Sequence, residues 1–161
     1  MGKTTELRRE IRQRFVPYSE TLGFKPDARQ GPQFLQFRQV VGEDLHVFDI
    51  QWEKYGKQRF VVNFGKGSSN GIEFNGRKLQ PNEMGVAHCP IRGRLKPGNG
   101  SLTSSWFRQD KHFLQRLFGG EPTFPPQQVV DQLIELFPEL LEFFRSGKAG
   151  KHMHLFPSVK R

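Results

Sequence analysis

A chain of 161 residues with 35% hydrophobic and 25% charged residues has single-domain length and can bury one substantial core. Sixteen Phe beside two Tyr and two Trp exclude a disordered reading for most of it, and its apolar runs are too short to span a membrane. The net charge is +9, from 25 basic and 16 acidic residues, and the single Cys89 excludes an internal disulfide.

The charge is uneven along the chain. Residues 3–14 carry five basic and two acidic groups, residues 76–97 five and one, and the tail from Arg145 five basic groups and no acid. Glu121 to Phe144 holds five acids and no base. A positive field draws polyanions and acidic protein surfaces alike. The N-terminal "MGKTTELRRE" contains no apolar secretory core, which with the lone thiol points to a cytoplasmic protein.

Leu7, Ile11, Phe15 and Tyr18 recur at helical spacing, with Arg8, Arg9 and Arg12 off the stripe, so residues 5–21 read as an amphipathic helix. Thr4 or Thr5 is its expected N-cap, Pro17 a kink or the start of its last turn, and Gly23 its end. "GKTT" mimics the end of a phosphate loop, but it lacks the earlier glycine and preceding strand, and a helix start is the better reading. Strands are expected at 33–41, 45–54 and 58–65, joined by the short "GED" and "KYGK" connections.

Within "HVFDIQWEKYGKQRFVVNFGKG", His46, Phe48, Ile50 and Trp52 alternate with Val47, Asp49, Gln51 and Glu53, and Phe60, Val62 and Phe64 alternate with Val61 and Asn63. One hairpin face is apolar and should pack on helices. The mixed face, with Asp49, Gln51 and Asn63, should meet solvent or a partner. "NFGKGSSNG" follows a strand without opening a helix, so it reads as a turn. Asn75-Gly76 closes a small hairpin between Ile72–Phe74 and Lys78–Leu79.

Residues 85–95 are a further strand candidate, with Ala87, Cys89, Ile91 and Leu95 on one face and His88, Arg92 and Arg94 on the other. On a strand His88 and Cys89 would point apart and could not form a nucleophile–base pair. Arg92, Arg94 and Lys96 alternate on one side with Arg38 as a sheet neighbour, which makes them the candidate anion patch. "LKPGNGSLTSS" reads as a loop, and Phe113, Leu114, Leu117 and Phe118 as a short helix stopped by Gly119-Gly120. Pro125-Pro126 opens a helix with Val130, Leu133, Ile134 and Phe137 on its buried side, interrupted at Pro138.

Residues 1–145 thus form one α+β domain: an N-terminal helix, an antiparallel sheet of four to five strands, and C-terminal helices packed on one sheet face. Residues 146–161 are a basic tail. His152 and His154 in it are too few for zinc, so no metal or cofactor is expected. Leu155 and Phe156 are expected to dock on an apolar surface of this chain's sheet or of a neighbouring copy, the latter giving a homodimer through the tail.

"LGF", the hairpin, "HCPIRGRL", "SSWF" and "LIELFPELLEFF" resemble, in this order, the bacterial domain of unknown function 4304 family over residues 5–145. The matching positions are Gly23, Phe24, Gln51, Asn63, Gly65, Cys89, Ile91, Arg94, Leu95, Trp106 and Pro138. The resemblance implies an uncharacterised α+β protein and, by analogy, an immunity-type or accessory role.

No catalytic constellation stands out. The expected function is a non-catalytic protein-interaction module with a protein partner. The alternative is a nucleic-acid or polyanion binder that uses a basic sheet face and the tail, with Phe in "QFLQFRQ" stacking on bases. An enzyme would need a deep pocket lined by His88, Asp49 or Asn63. The candidate binding residues are Arg38, Asp49, Gln51, Asn63, Arg92, Arg94 and Lys96.

Overall fold

The computed structural model describes residues 3–27, 29, 31–98, 105–111, 117–120 and 123–158. Its N-terminal helix has three parts: α1 (Lys3–Glu10), a π-helical turn (Ile11–Phe15) and α2 (Val16–Thr21). Both threonines lie inside α1, so neither caps it. Leu7, Ile11, Phe15 and Ser19 are all buried at a spacing of four. At 3.6 residues per turn, each such step drifts by about 40° around an α-helix. The π turn absorbs the drift and keeps the four on one line facing the sheet. Pro17 falls where the ladder returns to α geometry, so its missing N–H is accommodated there. Gly23, at φ +92°, ends the helix.

Seven strands form one antiparallel sheet: β1 (Lys25–Asp27), β2 (Phe34–Val41), β3 (Asp44–Trp52), β4 (Arg59–Ser68), β7 (Ile91–Leu95), β8 (Phe107–Arg108) and β9 (Met153–Leu155). Their order is β1-β2-β3-β4-β7-β9, with β8 paired to the start of β4. A separate two-stranded ribbon, β5 (Ile72–Phe74) and β6 (Arg77–Leu79), turns at Asn75-Gly76, both at positive φ.

The alternation in β3 and β4 places Phe48, Ile50, Trp52, Phe60, Val62 and Phe64 on one face, all at most 5% exposed. The N-terminal helix and α3 (Pro126–Ser146) cover that face through Leu7, Ile11, Phe15, Val130, Leu133, Phe137, Leu140 and Phe143. Phe15, Phe24, Phe48 and Phe137 meet edge to face with centroids 5.0–6.0 Å apart.

Pro138 does not interrupt α3, which runs unbroken for 21 residues. A proline inside a helix costs about 3 kcal/mol. Phe137, Leu140, Phe143 and Phe144 flank it on the buried face, and each contributes about 1.5–3 kcal/mol by leaving water. Packing outweighs the break.

The second sheet face is not open along its length, as the alternation suggested. The segment between β4 and β7 folds back over it through β5, β6 and two 3₁₀ turns, Pro81–Glu83 and Val86–His88. Leu79, Met84, Val86 and Cys89 then bury Leu45 and Val47 in a smaller second core. Gly65 makes this approach feasible, since a Cβ there would meet Cys89 Cβ at 2.6 Å.

Consequently residues 85–90 are not strand, and the expected alternation fails before Ile91. Cys89 lies under the cover beside Gly65, and Ile91 is 43% exposed. The expected helix around Phe113 and Leu114 falls outside the described residues; Leu117 and Phe118 are exposed.

The C-terminal segment adds a strand to this chain's own sheet. Met153 enters the core, Leu155 is 37% exposed, and Phe156 donates its N–H to the Arg92 carbonyl at 2.9 Å. Among the described residues no helix is long and apolar enough to cross a membrane.

Candidate functional site

Strand register assembles the site. Asp27, Gln36, Asp49, Asn63, Arg94 and His154 are successive partners across β1, β2, β3, β4, β7 and β9, so they form one transverse row on the second sheet face. Gln36 is fully buried, and Asp49 and Asn63 are 6% and 7% exposed. Buried polar groups at this density require mutual satisfaction.

Asn63 supplies it. Its Nδ2 donates to Asp49 Oδ1 at 2.8 Å and to Gln51 Oε1 at 3.0 Å, and its Oδ1 accepts from Arg94 Nε at 2.8 Å. Both amide hydrogens and the carbonyl are used, which fixes the amide orientation, since a flip would set its oxygen against two acceptors. Burial pushes the Asp49 carboxyl up to about 6, although the Asn63 hydrogen bond and the Arg94 charge pull it down.

Four of the seven expected residues, Asp49, Gln51, Asn63 and Arg94, therefore form one connected network. The other three do not join it. Arg38 donates Nη1 to Asp27 Oδ2 at 2.6 Å and Nε to the Met84 carbonyl at 2.8 Å. Asp27 also holds Arg29, and the two guanidiniums keep its carboxyl well below the usual carboxylate range. Arg92 shares Arg38's transverse row, with Val47 and Gly65 between them. Three strand spacings put the two about 14 Å apart. Arg92 turns instead to the Ala87 carbonyl, with its Nη1 at 3.0 Å. Lys96 has no side-chain partner among the described residues.

The Arg94 guanidinium lies 5.7 Å from the Phe156 ring, and its Nη atoms have no hydrogen-bond partner among the described residues. One edge of this cation is oriented by Asn63, leaving the fork that recognises carboxylates and phosphates. His154 stands beside it, its ring 5.7 Å from Phe156.

Three participants were missed in the sequence. Gln36 alternates with the expected Arg38 around Phe37, a legible signal eclipsed by the aromatics, while Asp27 and Phe156 join through pairings that no local pattern announces. His152 is drawn away from His154, since its N–H and Nδ1 meet Glu139 on α3 at 2.6 and 2.7 Å.

Nucleophilic chemistry at Cys89 is disfavoured by its burial, which pushes the thiol up to about 12. Among the described residues no three His, Cys, Asp or Glu side chains converge as metal ligands. Comparison of the chain with protein-family models, curated proteins and solved structures finds no match, so the resemblance to the domain of unknown function 4304 family stands on its residues alone.

Proposed function

We propose that the protein is a non-catalytic interaction module that takes an acidic segment of a partner protein at the β4–β7–β9 end of the second sheet face. The family resemblance adds an immunity-type or accessory role to this reading. The Arg94 fork carries it: a half-buried cation, oriented from behind by Asn63 and Asp49, with its terminal nitrogens unused among the described residues. A preoriented guanidinium loses little freedom on binding, so it suits a carboxylate anchor.

The polyanion alternative gains less support. Phosphate-driven binding favours one continuous basic surface. Arg8 packs over Trp52 at 4.5 Å on the helical side of the sheet, and Arg12 lines the same hollow. Arg92 and Arg94 lie on the other side. Phe37, one of the aromatics that would stack on bases, is fully buried.

Affinity capture from nuclease-treated host lysate, with wild type and Arg94→Gln side by side, tests the reading. The expected result is a specific protein recovered by wild type and depleted at least about tenfold with the variant. Equal recovery by both forms, or a low-salt shift of DNA or RNA without any protein partner, would overturn it.

A further inference from the structure

A second hollow lies beside this row, under the ribbon that covers the sheet. Its volume is about 560 Å³, within the range of small-ligand sites, and Ile72, Phe74, Cys89 and Pro90 give it apolar walls. Three polar side chains line it, Ser158 and the pair His88 and Arg92.

The hydrogen-bonding roles of His88 and Arg92 are fixed by the backbone. Gly85 N–H donates to His88 Nδ1 at 2.9 Å, so Nδ1 is the acceptor and the neutral ring carries its proton on Nε2. Burial lowers the His88 pKa, which favours that neutral form. The ring packs edge-on against Phe74 at 4.8 Å and 84°. Arg92 spends Nη1 on the Ala87 carbonyl, leaving Nε and Nη2 without partners among the described residues.

The hollow therefore presents a cation and a neutral donor, and no carboxylate lines it. A ligand that satisfies both must be an acceptor with negative charge, and the remaining walls reward an apolar body. We infer that this hollow binds a small organic carboxylate with an apolar body, its carboxylate on Arg92 and His88 Nε2 and its body against Ile72, Phe74 and Pro90. The inference is independent of the partner surface at Arg94, because it uses other side chains and another ligand.

The test is a titration of isotope-labelled protein with 4-phenylbutanoate, followed by the His88 ring and Phe74 NMR signals. Acetate, which lacks the body, and 4-phenylbutanamide, which lacks the charge, are parallel arms. Saturable shifts at both residues are expected with 4-phenylbutanoate, with binding about tenfold weaker for either control and for Arg92→Gln. The two ligand controls need no variant, so a misfolded Arg92→Gln would not blunt the test. Absence of saturable shifts with 4-phenylbutanoate overturns the inference, as does equal binding of the acid and the amide.

Discussion

Asp49 is a nearly buried carboxylate whose direct hydrogen-bond partner is an amide, with the Arg94 charge one residue further along the row. Its pKa rises from 3.8 to about 6, a difference equivalent to about 3 kcal/mol. The sign follows from linkage. Below the unfolded value both states are protonated, and the group costs nothing. As pH rises toward 6, the unfolded chain loses its proton first, so stability falls across that window and stays reduced above it. Asp49→Asn keeps the acceptor for Asn63 and abolishes the titration. Thermal melts from pH 3.5 to 8 should show this variant level with wild type at the acid end and more stable above pH 6, by up to about 3 kcal/mol, a figure that already includes the attraction to Arg94. A variant that is less stable at pH 8 would contradict the account.

His46 has the opposite slope. Its ring stacks on Phe144 at 4.5 Å, and burial together with Lys66 lowers its pKa below 6.5. A base with a depressed folded pKa contributes fully above its unfolded value and loses that contribution as pH falls through it. His46→Phe should therefore melt higher than wild type below pH 6, with the gap closing near pH 7. At this scale period-two alternation made Asp49, Gln51 and Asn63 legible as one face. It could not show that Asn63 would spend its whole amide on Asp49, Gln51 and Arg94, because that depends on cross-strand register.

β9 is a three-residue strand at a sheet edge, held by more than its ladder. Glu139 on α3 accepts from the His152 N–H at 2.6 Å and meets its ring at 2.7 Å. Glu139→Ala should cost about 1–2 kcal/mol and speed amide exchange at Met153–Leu155 while leaving β3 and β4 protected. Gly93 is the other fastening. A Cβ there would press on the His154 carbonyl and the Phe64 ring, so Gly93→Ala should release the same strand. Deleting residues 147–161 should lower the melting temperature, or convert dimer to monomer in light scattering if β9 is exchanged between copies. An unchanged deletion variant would make the strand incidental.

Elements with an unbroken local period, such as β2, β3, β4 and the stripe of α3, were legible in advance. Pro138 and the 3₁₀ turns at 81–88 were not. In each, tertiary burial overrides a local rule: helix packing outweighs the proline, and the small Gly65 admits Cys89 where a regular strand would have kept them apart.

Across the molecule, described basic groups lie on both sides of the sheet. Arg8 and Arg12 lie on the helical side, while Arg92 and Arg94 lie on the second face. The charge asymmetry was readable from the chain, and its separation by the sheet was not, since only the fold decides which basic groups share a surface. On the proposed function, a partner sits at the end of the second face that bears Arg94. Hydrogen–deuterium exchange on the protein alone and bound to its captured partner tests it most directly. Slowed exchange is expected in β7 and in residues 153–156, with the α3 surface unchanged. Protection confined to α3 or the N-terminal helix, with β7 and β9 exchanging as in the free protein, would contradict it.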